Sequence, residues 1–132
     1  MRLFESFPYR EWRVGQREIA EKIYKAAKKK SIVLVEYPTG AGKTIAVLIG
    51  ALESALEDNK TVLYLARTKN QAQAPFRELR RLIRKGVSLR ISIFRNKKEM
   101  CALKNVEHLG YEEFLNQCRF LRDEGMCEYY KR

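Results

Sequence analysis

The nine residues Glu36-Tyr37-Pro38-Thr39-Gly40-Ala41-Gly42-Lys43-Thr44 constrain this chain more than any others. They follow a short, β-branched apolar run, Ser31-Ile32-Val33-Leu34-Val35, and precede a stretch in which Ile45, Val47, Leu48, Ala51, Leu52, Ala55 and Leu56 recur at helical spacing. A loop in that position aims backbone N–H groups and a helix N-terminus at whatever lies in front of it, an arrangement suited to phosphate. Gly40 and Gly42 permit unusual backbone angles and a close approach, Lys43 can reach β- and γ-phosphate oxygens, and Thr44 can offer its hydroxyl to Mg²⁺. The strict pattern G-x-x-x-x-G-K-[ST] fails at its first position, which is Tyr37. The match therefore rests on Gly42-Lys43-Thr44, on Gly40 and on the strand–loop–helix setting; the alternative is a plain structural turn.

The remaining periodicities extend that setting into an α/β chain. Ile19, Ile23, Ala26 and Ala27 predict an amphipathic helix over 14–29, and the apolar pattern after the loop predicts another over 43–57. Thr61-Val62-Leu63-Tyr64-Leu65-Ala66 reads as a second buried strand, parallel to the first across a right-handed connection. Asn70–Lys85 reads as a helix through Phe76, Leu79, Leu82 and Ile83, with Pro75 kinking it or delaying its start. Val87, Leu89, Ile91 and Ile93 alternate with polar residues as a third strand does. The expected fold class is thus a partial parallel sheet with flanking helices over residues 1–95. Past Arg95 the periodicity degrades, so residues 96–132 are expected to form a separate unit.

Charge points to the partner. The 132 residues hold 27 Lys and Arg against 16 Asp and Glu, a net +11, which favours polyanions through counterion release. Residues 69–98 concentrate the excess, with ten cations and one acid, Glu78. Nucleic acid leads as a partner and an anionic membrane surface trails; a solvated basic helix face is the bland alternative. No apolar run approaches the roughly 18 residues that cross a bilayer, and the N-terminus carries no signal-peptide core, so no membrane association and a cytoplasmic location are expected.

Cys101, Cys118 and Cys127 are separated by sixteen and eight intervening residues, without a C-x-x-C pair. Three thiols cannot all pair as disulfides, and zinc or an iron–sulfur cluster typically takes a fourth ligand. His108 is the only internal histidine available for that place. Buried structural thiols, zinc and a cluster all remain open from spacing alone.

Taken in order, four features form a set: the aromatic opening (Phe7, Tyr9, Trp12) with Arg13 and Gln16; EYPTGAGKT; LYLARTKNQ; and three spaced cysteines. In this order the chain resembles the XPD-type (XPD/DinG-like) superfamily 2 DNA helicases, from Phe7 to Tyr130. The resemblance implies a RecA-like P-loop motor domain and the start of a helical [4Fe–4S] domain inserted in it, in an ATP-driven 5′-to-3′ enzyme of the DNA-repair type. Arg13 and Gln16 would then read the adenine. Pro38, Thr39, Gly40, Ala41, Gly42, Lys43 and Thr44 would bind MgATP, with Lys43 and Thr44 in catalytic positions, and Arg67-Thr68 would touch single-stranded DNA. Cys101, Cys118 and Cys127 would supply three of the four cluster ligands.

The sequence departs from that family in having no fourth cysteine and no second, DExH-type acidic motif. It is therefore expected to be the ATP-binding N-terminal portion of a helicase, shortened, and unable to hydrolyse ATP or unwind DNA without the rest. Alternatives are a stand-alone nucleic-acid-binding module stacking bases on Phe76 or Phe94, a zinc module on the three thiols, or a small P-loop kinase or switch ATPase. The last needs an acid at the end of a strand, and neither 62–66 nor 89–94 ends in one.

Overall fold

The computed structural model describes residues 3–104 and 106–130 and divides into two compact units, Met1–Leu89 and Arg90–Arg132. The first contains three helices, α1 (Gln16–Lys29), α2 (Lys43–Glu57) and α3 (Lys69–Arg84); the second contains α4 (Tyr111–Asp123).

Helices α1 and α2 form the centre of the first unit. α1 buries Gln16, Ile19, Ala20 and Ala26 along one stripe, while α2 buries Ile45, Ala46, Leu48, Ile49 and Gly50. Their closest approach is backbone to backbone. A Cβ on Gly50 would lie 2.3 Å from the carbonyl oxygen of Ala20, so glycine at 50 and alanine at 20 set the spacing of the pair. Leu3, Leu82 and Val87 complete the buried cluster, with Phe7, Trp12 and Tyr37 packed at its margin. Phe7 and Trp12 stack with centroids 3.8 Å apart and planes 14° apart, and Phe4 meets Tyr24 of α1 edge-on with centroids 6.4 Å apart, which sets the N-terminal segment beside α1.

α3 packs against α2. Its first turn is capped by Thr68, whose hydroxyl accepts the Gln71 N–H at 3.3 Å, satisfying one of the N–H groups that have no intrahelical partner. The helix begins at Lys69 and contains Pro75, so the proline does not delay the start.

The expected parallel sheet is not formed: among the described residues none lies in a β-strand. Residues 31–38, 60–66 and 87–96 run between helices without regular secondary structure. A parallel strand needs both faces covered, and here neither is in full. Val33 and Val35 line a hollow with Ile23, Ala27 and Val47 yet stay 38% and 37% exposed, and Ile32 and Leu34 on the other face are 92% and 94% exposed. Leu63 and Leu65 are likewise exposed. The α/β partial-sheet expectation is therefore corrected to a helical unit with extended, largely exposed apolar connections.

In the second unit, Phe114 of α4 is fully buried and Val106 nearly so. The Gly110 N–H donates to the Glu113 carboxylate at 3.3 Å, bringing an acid to the positive end of the helix. After α4, the N–H groups of Met126 and Cys127 both bond the Leu121 carbonyl and fold the chain back. This return sets the Arg122 guanidinium 5.2 Å from the Tyr130 ring centre.

Candidate functional site

The loop ahead of α2 has the backbone its glycines predict. Gly40 and Gly42 sit at φ +78° and +81°, in the left-handed region where side chains are strained, and Gly42 is the residue from which α2 starts. No acidic side chain occupies the first turn of α2, so the helix presents its positive end and its free N–H groups without an internal counter-charge.

Four side chains brace this loop. Gln16, 3% exposed at the first turn of α1, donates through Nε2 to the carbonyls of Ala41 and Gly42, each at 3.1 Å. Its Oε1 accepts the Arg13 N–H at 2.9 Å. The Arg13 guanidinium donates to the Gly40 carbonyl at 2.7 Å. Lys43 turns its ammonium back into the loop and donates to the carbonyls of Tyr37 and, at 3.0 Å, Pro38. Tyr37, which stands where the strict pattern has glycine, donates its hydroxyl to the Val14 carbonyl and lies 3.1 Å from the place a Gly15 Cβ would take. The departure from the pattern thus has a local role: Tyr37 ties the loop to the segment that leads into α1.

In front of the loop is a cavity of about 710 Å³, within the 300–1,000 Å³ range typical of small-molecule sites. Its walls come from the N-terminal segment (Phe7, Tyr9, Arg13), from the loop and α2 (Thr39, Gly40, Gly42, Lys43, Thr44), and from α3 (Ala74, Arg77, Glu78). No sequence motif marks the α3 wall. It is fixed by a three-residue contact: the Tyr9 hydroxyl donates to the Glu78 carboxylate at 2.8 Å, while Arg81 donates to the Tyr9 oxygen at 2.7 Å and to Glu78 at 2.6 Å. Burial, then the hydrogen bond to Glu78, holds the Tyr9 hydroxyl pKa above its ordinary value, so it remains a donor at neutral pH. Only the Glu78–Arg81 spacing on one helix face was visible in the sequence; nothing there ties either residue to Tyr9.

Other expected residues lie elsewhere. Arg67 and Thr68 are exposed in the connection that enters α3, with Thr68 engaged as its cap. Arg80 and Arg84 of the basic stretch are exposed, Arg80 with its guanidinium 5.8 Å from the Phe76 ring centre. Lys98, counted in the same stretch, spends its ammonium on the carbonyls of Leu109 and, at 2.9 Å, Glu107, so it acts within the second unit's own fold. Cys101, Cys118 and Cys127 are free, half-buried thiols. Among the described residues no three His, Cys, Asp or Glu side chains converge as a metal site requires, and His108 is exposed. As arranged, the cysteines do not fit a cluster that needs several thiolates converging on one centre. Among the described residues no helix is long and apolar enough to cross a membrane.

Comparison with known proteins agrees with the loop. A probable ATP-dependent helicase of Methanocaldococcus jannaschii is 43% identical over 75 residues, a match covering 57% of this chain and 11% of that protein. No solved structure matches. The family model for DEAD/DEAH box helicases matches residues 14–115, which hold Gln16, the whole Gly40–Thr44 loop and α3, and on that match the chain belongs to the DEAD/DEAH box helicase family.

Proposed function

We propose that this chain is the ATP-binding N-terminal portion of an ATP-dependent DNA helicase of the XPD type. The observation that carries the proposal is the Gly40–Thr44 loop at the head of α2, with Lys43 and Thr44 opening on a nucleotide-sized cavity. Phosphate oxygens entering there would take the backbone N–H groups of the loop and the Lys43 ammonium, which the carbonyls of Tyr37 and Pro38 hold at the cavity floor. Thr44, half-buried on the first turn of α2, would give its hydroxyl to Mg²⁺. Gln16 and Arg13 brace the loop from behind and border the same cavity, where they can also meet the base.

The XPD assignment rests on the ordered sequence features, of which the cysteine set is the weakest member. The three thiols are not gathered for a cluster, and no step is assigned to one. Hydrolysis requires an acid that positions Mg²⁺ and water. The acids bordering the cavity are Glu11 and Glu78, and Glu78 is committed to Tyr9 and Arg81. We therefore assign these residues nucleotide binding and leave ATP turnover to elements supplied from outside them. Single-stranded DNA is the proposed polymer partner, met by Arg67 and by the exposed Arg80 and Arg84 of α3.

Lys43→Ala tests the nucleotide site. Loss of a charge-assisted contact should weaken MgATP binding by about 10- to 100-fold. Equal affinity in the two proteins would sink the proposal.

A further inference from the structure

The nucleotide cavity carries more positive charge than the loop itself accounts for. Its lining includes Arg10, Arg13, Lys43 and Arg77 against two acids, Glu11 and Glu78. Arg13 is committed to the Gly40 carbonyl and Glu78 to Tyr9 and Arg81, while Lys43 belongs to the loop itself and spends two of its three N–H donors on the loop carbonyls. Among the described residues, the guanidiniums of Arg10 and Arg77 have no hydrogen bond or ion pair. The two differ in how firmly they are held. Arg77 projects from the third turn of α3, a 16-residue helix pinned to the N-terminal segment one residue further on by the Glu78–Tyr9–Arg81 contact. Arg10 sits on an irregular segment.

We propose that Arg77 is a phosphate-binding residue of this cavity, its guanidinium taking outer phosphate oxygens of a nucleoside triphosphate from the side opposite the Gly40–Thr44 loop. A guanidinium on a rigid helix, free of other partners and facing an anion-binding loop across a cavity, is suited to fork-like pairing with phosphate oxygens. The neighbouring acid that could compete for it, Glu78, has both carboxylate oxygens turned to Tyr9. The Tyr9–Glu78–Arg81 contact thus leaves Arg77 available to an anion as well as fixing the helix that carries it. The inference rests on the nucleotide-binding reading above and adds a contact to it that the loop sequence does not contain.

The test is a set of equilibrium titrations of the full chain with MgATP, AMP and adenosine, in the wild type and in Arg77→Ala, Arg77→Lys, Lys25→Ala and Lys43→Ala. Lys25 is an exposed cation of α1 outside the cavity lining, so its variant measures the effect of removing one positive charge from the protein. The expected result is an affinity for MgATP about tenfold lower in Arg77→Ala, a smaller loss for AMP, and none for adenosine. Arg77→Lys should recover part of the loss, since it keeps the charge without the fork, and Lys25→Ala should match the wild type. Unchanged MgATP affinity in Arg77→Ala, alongside a loss in Lys43→Ala, would overturn the Arg77 assignment alone. An equal loss for ATP and adenosine would also overturn it, by placing Arg77 on the nucleoside or in the fold. No loss in Lys43→Ala would remove the nucleotide reading and the Arg77 assignment together.

Discussion

Replacing Gly50 with alanine adds one methyl group at the point where α1 and α2 touch. The added Cβ would lie 2.3 Å from the Ala20 carbonyl oxygen and 3.0 Å from its carbon. Ordinary C···O contacts are about 3.3–3.6 Å, so the helices must separate locally by about 1 Å. The obstacle is backbone, which cannot rotate away as a side chain can. Ala20, Ala46 and Ile49 around it are wholly buried, so the shift loosens the centre of the unit. Overpacking of this kind costs about 1–3 kcal/mol, and the rigid obstacle places the cost at the upper end. The better helix propensity of alanine offsets about 1 kcal/mol. The net loss is then about 1–2 kcal/mol, and at about 4–8 °C per kcal/mol for a unit of this size the melting midpoint should fall by roughly 5–15 °C. Thermal melting followed by far-UV circular dichroism reads it. Function should follow, because Gln16 on the first turn of α1 holds the loop that opens α2, and MgATP affinity should drop in the same variant below its melting range. A midpoint equal to or above that of the wild type would refute the argument that backbone contact sets the helix spacing.

Three smaller perturbations follow the same reasoning. Thr68→Ala removes the cap of α3 and should cost about 1 kcal/mol in chemical denaturation, with Thr68→Asp restoring it. Between α1 and α2, hydrogen bonds from Lys28 hold the carboxyls of Asp58 and Glu57 below their ordinary values of 3.8 and 4.5. Depressed pKa values stabilise the fold above the ordinary values and cease to do so as pH falls through the lowered ones, so the melting midpoint should decline on acidification below about pH 4.5, and less steeply in Asp58→Asn. Single-stranded DNA binding should weaken with salt, and Arg80→Ala should reduce the slope of log K against log salt by about 0.7 if that exposed arginine meets a phosphate; an unchanged slope would remove it from the interface.

What could be read from the sequence was what neighbouring residues decide among themselves. Three of the four described helices are legible, 43–57 at its observed limits and 14–29 and 70–85 within two residues, because each carries an apolar stripe at helical spacing; α4, which buries only Phe114, is not. The loop was legible for the same reason, since Gly40, Gly42, Lys43 and Thr44 are adjacent and their backbone needs are local. The strands were misread. Ser31–Val35 has the composition of a buried parallel strand, but a strand exists only through a partner and a covered second face. Among the described residues Ile32 and Leu34 have neither. The α3 wall of the cavity was missed because Tyr9 and Glu78 are 69 positions apart, and no periodicity connects them. The cysteine spacing was equally silent on whether the three thiols meet.

The central claim is that a nucleoside triphosphate binds between the Gly40–Thr44 loop and α3. The most direct measurement is a two-dimensional ¹H–¹⁵N spectrum of the labelled chain during titration with MgATP. The account predicts saturable shifts in the backbone amides of Gly40, Ala41, Gly42, Lys43 and Thr44, joined by the side-chain amide of Gln16 and the Nε–H of Arg77, with Lys43→Ala abolishing them at the same ATP concentration. A spectrum in which those resonances stay fixed while MgATP is raised to millimolar levels, or in which the shifts gather in α4 instead, would contradict it.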